Sequence, residues 1–387
     1  MLATFEQLKN MENNNKILQT RFELNAETIK GIKNVIKGHK NSAIPYLNYI
    51  LMEMVNKNVV KVIYTDTDLC VEKMFFANVE HINRKSFLVP IELFKSIKNI
   101  KKTDTFIFEE DNKDILILTR NNLKHKISIL DSENYPNFDF LEEDQFTMVE
   151  TSNGYEYFHY KDLTVLNKAS KSVANSESRP TLQEISIKNG YVISTDSHRL
   201  YRAKTIFNYE NGFLINPVLV NKAMDIFDNN MFLKMSVNTF RIKIQDDYST
   251  KVYFNHKDGN FPDTDRIMPN DFNYEVNIDN VTILHDFLKN MKKATINFTL
   301  DVSKSIINLE AELKSGIASI SLPVRINKHS ENEFKMSFDS SYLKDGIEQL
   351  DKESLIMKIV ANDRPFVLNK QKCNKETVLL LPLRKNK

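Results

Sequence analysis

Asp196, Ser197 and His198 are the three residue types of a hydrolytic triad, and they are consecutive in the chain. Successive side chains of an extended segment point to opposite sides, so neighbours in sequence rarely converge on one substrate. No glycine-rich loop that could form an oxyanion hole accompanies these residues. The segment therefore gives little support to hydrolase chemistry, and no catalytic residue is predicted.

Two acidic residues, Asp66 and Asp68, have the spacing of an Asp-x-Asp metal site. A turn that follows a strand uses aspartates at the same spacing, and no third ligand is evident. The two cysteines, Cys70 and Cys373, are far apart in the chain and cannot form a zinc site alone. We therefore predict no metal site and no cofactor.

Glycine is scarce, with 8 residues in 387. Loops that bind phosphate groups need closely spaced glycines so that the backbone can approach the ligand. Neither GxGxxG nor GxxxxGK[ST] occurs in the chain. Nucleotide hydrolysis and dinucleotide redox chemistry are therefore poor candidates.

Lysines recur beside the apolar stripes of predicted helices at three- and four-residue steps. The net charge is only +2, because 53 Lys and Arg nearly balance 51 Asp and Glu, so any basic surface must come from segregation of charge. A shared basic face suits the phosphate backbone, which is bound by charge without regard to base sequence. The lysines concerned are Lys30, Lys33, Lys37, Lys40, Lys95, Lys98, Lys102, Lys161, Lys168, Lys171, Lys289, Lys292 and Lys293.

A strand that leads into a helix occurs three times. The segments begin at Phe87, Phe213 and Phe334, and Asp339 and Ser340 are candidate helix caps in the third. A second helix is predicted upstream of each, over Ala26–Lys37, Lys161–Val173 and Val281–Lys292. The copies are roughly 120 to 130 residues apart, which is the size of a small domain.

Strand patterns flanking polar turns predict antiparallel hairpins. The paired segments are Thr105–Glu109 with Asp114–Thr119, Phe240–Gln245 with Lys251–Asn255, and Ser305–Leu313 with Ile317–Val324. The fold class is therefore α+β, with three similar domains that each contain two helices and antiparallel sheets.

Several short segments carry a resemblance to a known family. They are Tyr64–Leu69 (YTDTDL), Phe87–Phe94 (FLVPIELF), Tyr135–Phe138 (YPNF), Ile193–Leu200 (ISTDSHRL), Asp258–Pro269 (DGNFPDTDRIMP), Asp363–Leu368 (DRPFVL) and Val378–Arg384 (VLLLPLR). These segments resemble motifs of the bacterial DNA polymerase III beta subunit, the sliding clamp, and they occur along the chain in the same order as in that family. The resemblance extends from about Phe22 to Arg384.

The resemblance implies three clamp domains per chain and a head-to-tail homodimeric ring around duplex DNA. We expect an N-terminal extension at 1–20 and domains at 21–142, 143–272 and 273–387. The implied function is a processivity factor, a non-catalytic accessory subunit of a DNA polymerase. The implied partners are DNA, polymerase and clamp loader, the last two bound through linear peptide motifs.

The resemblance also implies a partner-peptide pocket, formed by Leu182, Thr195, Ser197, His198, Arg199, Leu200, Pro262, Arg266, Ile267, Tyr342, Pro365, Leu379, Leu381, Pro382, Leu383 and Arg384. It places further DNA contacts in two loops, at Lys40 with Asn41 and at Arg179. The family's usual glycine is replaced by Ser197, and its usual aromatic residue by Thr264. We expect the serine to alter the turn before His198.

One alternative remains open on the sequence. A clamp-like scaffold or decoy could bind partner peptides without encircling DNA. No secretory signal or membrane-spanning run is apparent, so a cytoplasmic protein without a membrane partner is expected.

Overall fold

The computed structural model describes residues 19–383 except 137–145, 177, 258 and 292. Six α-helices occur in this part of the chain. They are α1 (Ala26–Val35), α2 (Ile91–Ser96), α3 (Thr164–Ala169), α4 (Pro217–Ile226), α5 (Val281–Asn290) and α6 (Ser340–Gln349).

Short strands make up most of the remaining structure. The first fifteen are β1 (Arg21–Asn25), β2 (Tyr49–Asn56), β3 (Val59–Thr65), β4 (Leu69–Phe76), β5 (Asn78–His81), β6 (Ser86–Pro90), β7 (Thr105–Asn112), β8 (Ile115–Arg120), β9 (Leu123–Ser128), β10 (Thr147–Met148), β11 (Glu150–Thr151), β12 (Tyr157–His159), β13 (Ile185–Lys188), β14 (Tyr191–Thr195) and β15 (Arg199–Lys204). The others are β16 (Phe207–Asn208), β17 (Phe213–Ile215), β18 (Phe232–Val237), β19 (Arg241–Gln245), β20 (Thr250–Lys257), β21 (Tyr274–Ile278), β22 (Thr295–Asp301), β23 (Ile306–Leu313), β24 (Gly316–Pro323), β25 (Arg325–Lys328), β26 (Glu333–Asp339), β27 (Leu355–Ile359), β28 (Phe366–Lys370) and β29 (Cys373–Leu380).

The chain divides into two compact units, residues 1–148 with 222–255 and residues 149–221 with 256–387. In the first unit, one sheet has the order β5-β1-β7-β8-β9. A second runs β6-β2-β3-β4-β20-β19-β18-β10, with antiparallel neighbours throughout. Buried phenylalanines fill the core, and the rings of Phe22 and Phe108 stack with centroids 4.9 Å apart.

The second unit also contains two large antiparallel sheets. One has the order β24-β23-β22-β26. The other runs β17-β13-β14-β15-β29-β28-β27-β21-β25. Phe338 contacts both Phe298 and Phe366 in the core. The predicted α+β class is confirmed, and the domain boundaries near 142 and 272 stay a prediction.

The predicted strand-to-helix segments are confirmed in all three places. Strands β6, β17 and β26 each lead directly into a helix, α2, α4 and α6. Asp339 caps α6, because its carboxylate accepts the N–H of Ser341 at 2.7 Å. The upstream helices α1, α3 and α5 lie where the periodicity placed them. The three predicted hairpins form as β7–β8, β19–β20 and β23–β24.

Two tight turns have the same construction in different units. In the first, Thr65 Oγ1 donates to the carbonyl of Leu69 at 2.8 Å, and Asp66 accepts the Leu69 N–H at 3.0 Å. In the second turn, Thr195 Oγ1 donates to the carbonyl of Arg199 at 2.7 Å, and Asp196 accepts the Arg199 N–H at 3.0 Å. The carboxylate at Asp66 therefore shapes a turn, as the sequence indicated, and the shared geometry supports an internal repeat.

Candidate peptide pocket and basic helix faces

The candidate pocket is built on the turn between β14 and β15. Ser197, at its centre, has a φ of 79°, in the left-handed region that glycine adopts most easily. The equivalent residue of the first turn, Thr67, has a φ of 81°. The expectation that serine would alter this turn was wrong, because the serine keeps the glycine-like conformation.

Arg199 lies almost buried beside this turn, with 11% of its side chain exposed. Its guanidinium bonds Asp196 at 2.9 Å and Asp345 at 2.6 Å, and it stacks over the Tyr342 ring with its carbon 4.8 Å from the centroid. The His198 ring is stacked on the same tyrosine at 6.1 Å. Two carboxylates therefore satisfy the buried cation and fix the pocket wall.

The apolar floor comes from the pairing of β15 with β29. Leu200 lies opposite Leu379, and together with Val367 they form a buried cluster. Ile193, Met268 and Phe272 pack against this cluster while remaining partly exposed. The floor is therefore apolar and partly accessible from solvent.

The C-terminal segment runs along the pocket after β29. The N–H of Leu381 donates to the His198 carbonyl at 2.9 Å, and that of Leu383 donates to Ser337 at 2.7 Å. Leu383 is 41% exposed and Pro382 is buried. Arg384, also predicted for the pocket, is outside the described residues. So are Asn137 and Phe138 of the first-domain motif and Asp258 of the Phe-Pro-Asp motif.

The remaining predicted pocket residues differ in their exposure to solvent. Leu182 is buried, and Pro262 is exposed. Ile267, in a 3₁₀ turn next to Met268, is 49% exposed. Arg266 bonds Asp263 at 3.0 Å and is largely exposed. Pro365 is half-buried and immediately precedes β28.

Sequence reasoning missed Asp345, Met268 and Phe272 as parts of this region. Asp345 lies three residues after Tyr342 on α6, so it shares that residue's helix face. This spacing was a signal that could have identified it. Asp196, Ser197 and His198 do not form a triad, because Asp196 binds Arg199 and backbone N–H groups.

The predicted DNA-contacting lysines of the first unit lie on and after α1 and α2. Lys30, Lys40, Lys98 and Lys102 are exposed, as is Asn41. Lys30 and Lys102 line one groove of about 400 Å³ with the start of α1. Lys33 donates to the Ile97 carbonyl at 2.5 Å, so the two helices lie side by side. Burial and the nearby charge of Lys98 lower the pKa of Lys33.

Other members of the predicted DNA set are engaged with protein groups. Lys37 pairs with Asp225 at 2.8 Å, and Lys95 pairs with Glu92 at 2.8 Å. In the second unit, Lys168 binds Asp351 at 2.6 Å and Glu376 at 2.8 Å, with 16% of its side chain exposed. Lys171 bonds Glu348. The sequence predicted that Lys168 and Lys171 belong to a solvent-facing lysine stripe around α3. In the structure, both side chains form ion pairs with carboxylates, which compensate their charges.

Arg179 is also among the predicted DNA contacts. In the structure, its Nη1 donates to Ser197 Oγ, so its guanidinium lies at the pocket turn. The hydrogen bond between Arg179 and Ser197 could not be predicted from local sequence, because Ser197 is 18 residues further along the chain.

None of the helices in the described part of the chain has the length and the apolar character that a membrane-spanning helix requires. No protein-family model matches the chain.

Individual relatives are nevertheless similar over most of the length of this chain. The beta sliding clamp of Streptococcus pneumoniae strain R6 is 22% identical, over 94% of this chain and 99% of its own. That of Lactococcus lactis subsp. lactis is 23% identical, over 78% of this chain and 81% of its own.

Solved structures have the same fold. The DNA polymerase sliding clamp from Bacillus subtilis superposes with a TM-score of 0.80 at 17% identity, covering 95% of this chain and all of its own. A sliding clamp from Bartonella birtlesii, solved bound to griselimycin, gives a TM-score of 0.80 at 16% identity with the same coverage. The chain therefore has the fold of the bacterial beta sliding clamps, and its sequence is similar to theirs over nearly all of its length.

Proposed function

We propose that this chain is a sliding clamp of DNA replication, which encircles duplex DNA as a homodimeric ring and tethers a polymerase to it. The observation that carries the proposal is the likeness in sequence and fold to beta sliding clamps along nearly the full chain. The protein acts in the cytoplasm, without chemistry of its own. Polymerase and clamp loader bind to its pocket through linear peptides.

The exposed lysines of the first unit form the DNA-facing surface. Lys30, Lys40, Lys98 and Lys102 present charge to solvent from neighbouring segments. Phosphates attract such charges regardless of base sequence, and the attraction weakens as salt rises. Retention on DNA depends on enclosure, so the affinity for open linear DNA is low.

Two exposed edge strands provide the surfaces for ring closure. In the described part of the chain, β9 ends the five-stranded sheet of the first unit and β24 ends the four-stranded sheet of the second, so one edge of each strand has no strand partner there. Leu123 on β9 is 58% exposed, and Ile317 on β24 is 74% exposed. Lys124 and Lys126 make β9 basic, whereas Glu310 and Glu312 lie on the strand next to β24. If β9 of each copy pairs with β24 of the other copy, the two interfaces close a ring.

The pocket binds short apolar segments. Ile267 and Leu383 offer exposed apolar surface, and Leu200 and Leu379 belong to the buried floor, against which Met268 packs. Burial of two apolar anchors contributes roughly 3 to 6 kcal/mol before ordering costs. Isolated peptides should therefore bind with dissociation constants in the micromolar range or weaker. The corresponding free energy of binding is no more favourable than about −8 kcal/mol. Such exchange suits a platform used by several partners.

Retention on closed DNA tests the proposal. The protein is loaded on a nicked circular plasmid by its cognate clamp loader, and the bound fraction is measured by gel filtration before and after linearisation. The proposal predicts retention on the circle and rapid loss from the linear molecule. Equal loss from both forms, with peptide binding intact, would instead support a scaffold that does not encircle DNA.

A further inference from the structure

A cavity of about 510 Å³ in the second unit is lined by residues of β13, β17 and the end of β20. Ser186 pairs with Leu214, and Leu214 pairs with Lys257, so these three side chains form one row on one face of the sheet. Lys188 follows Ser186 by two residues on β13 and shares that face. The volume is in the range of small-molecule sites. None of the described residues that line the cavity belongs to the candidate peptide pocket.

Gly212 holds the aliphatic stem of Lys188 at the wall of the cavity. The glycine has a φ of 69°, which is in the left-handed region. A Cβ at this position would lie 3.1 Å from Cβ, Cγ and Cδ of Lys188, so the lysine stem passes close to the glycine backbone. Lys188 is exposed, and in the described part of the chain its ammonium has no hydrogen-bond or ion-pair partner. Its charge is therefore available to a ligand.

Lys257 brings a second ammonium to the cavity. Its Nζ lies 2.7 Å from Oε1 of Glu184, and the exposed fractions of the two side chains are 60% and 1%. A buried carboxylate needs a partner, so this contact fixes the position of the lysine. Glu184 is not among the described residues that line the cavity, so its charge lies behind Lys257.

Neutral side chains complete the lining. Ser186 is 7% exposed, and its hydroxyl has no hydrogen-bond partner among the residues that the structure describes. Asn211 and Asn260 are exposed amides, and Phe261 is a half-buried ring. A phosphate monoester has three terminal oxygens and carries close to two negative charges at neutral pH, so it can accept more of these donors than a carboxylate can.

We propose that this cavity is a second ligand site of the chain and that it binds small phosphate monoesters. Lys188, Lys257 and Ser186 bind the phosphate, and Phe261 contacts the organic part of the ligand. Because the binding groups are side chains, the site needs no glycine-rich loop. The inference goes beyond the proposed clamp function and does not depend on it.

Isothermal titration calorimetry of the full chain with four ligands tests the proposal. The ligands are adenosine monophosphate, ribose 5-phosphate, adenosine and inorganic phosphate. At least one of the two esters should bind about tenfold more tightly than both adenosine and inorganic phosphate, because charge-assisted hydrogen bonds and the apolar contact act together. The affinity for that ester should fall as the salt concentration rises.

Two variants assign the binding to this cavity. Lys188→Gln should weaken ester binding about fivefold or more, and Ser186→Ala should weaken it about two- to fivefold. The control is Lys372→Gln, which removes an exposed charge from the turn between β28 and β29 of the same unit and should bind the ester as the wild type does. Both lysine variants should keep the wild-type Tm, since both side chains are exposed.

Failure of both esters to bind the wild-type protein overturns the proposal. Binding of inorganic phosphate as tightly as the esters shows an adventitious ion only and overturns it as well. Unchanged ester affinity in both Lys188→Gln and Ser186→Ala overturns the assignment to this cavity. Retention on circular DNA is measured independently of these ligands, so failure of this inference leaves the proposed clamp function standing.

Discussion

Among the individual residues, Arg199 makes the best-defined contacts in the candidate pocket. Its guanidinium lies between Asp196 and Asp345 and on Tyr342, and little of it is exposed. Truncation leaves two partly buried carboxylates without their cation. We expect Arg199→Ala to lower the free energy of unfolding by about 1 to 3 kcal/mol, measured by urea denaturation.

The matched control for Arg199 is Arg266→Ala. The Arg266 pair with Asp263 has side-chain exposures of 85% and 55%. Its loss should change stability by less than about 0.5 kcal/mol. Equal effects of the two variants would mean that Arg199 is not structurally important to the pocket wall.

The contribution of Glu348 to the stability of the fold depends on pH. Burial acts to raise its pKa, but hydrogen bonds from His285 and Lys171 and the charges of Lys171 and Lys344 outweigh it. The pKa is held at about 2, below the ordinary value of 4.5. A carboxyl with a depressed folded pKa stabilises the protein above its unfolded pKa, and this contribution is lost as pH falls through the folded value.

We therefore expect stability to decline between about pH 4.5 and 2, partly through Glu348. In Glu348→Gln, this decline should be shallower than in the wild type when Tm is measured against pH. Glu331→Gln, an exposed substitution in the same unit, serves as the control. Identical acid profiles for Glu348→Gln and the wild type would contradict the assigned role of the carboxylate.

Local sequence patterns predicted the helices and the hairpins. Helix α6 follows from its capping aspartate and apolar spacing, and β23–β24 follows from two strand patterns around a turn. The pairing of β15 with β29 was not predictable, since Tyr201 and Val378 lie far apart in sequence. For the same reason, the bond from Arg199 to Asp345, across 146 residues, left no local signal.

The helix faces of the first unit give a prediction about DNA retention. Reversal of charge at Lys30 and Lys102, which line one groove beside α1, should shorten residence on circular DNA severalfold. Peptide affinity should not change. The variant Lys57→Glu with Lys113→Glu reverses two exposed charges on turns of the same unit. If both double variants were retained equally, α1 would not face the DNA.

The segment after β29 gives a prediction about the pocket. Truncation after Leu381 removes Pro382–Lys387 but keeps the buried end of β29 and the bond from Leu381 to His198. We expect peptide affinity to fall at least tenfold, because the truncation removes the exposed apolar side chain of Leu383 that a bound peptide would contact. The dimer should persist in light scattering. Loss of the dimer instead would count against the assignment of this segment to the pocket.

At the scale of the whole molecule, the threefold repeat was the strongest information in the sequence. Six helices, each following a strand, recur in the predicted places. The distribution of charge among the helices was less predictable, because it depends on distant carboxylates. Lys168 and Lys171 have the spacing of a solvent-facing stripe, yet Asp351, Glu376 and Glu348 bind them.

Two copies of this chain should close into a ring, and electron microscopy of the purified protein can show whether they do. We predict annular particles with a central opening and, by light scattering, twice the chain mass. Ile317→Asp should give single chains, because it places a charge on the exposed edge of β24, whereas Phe240→Asp, at another exposed apolar residue, should leave rings. Solid particles or single chains in the wild-type protein would show that the chain does not form a ring.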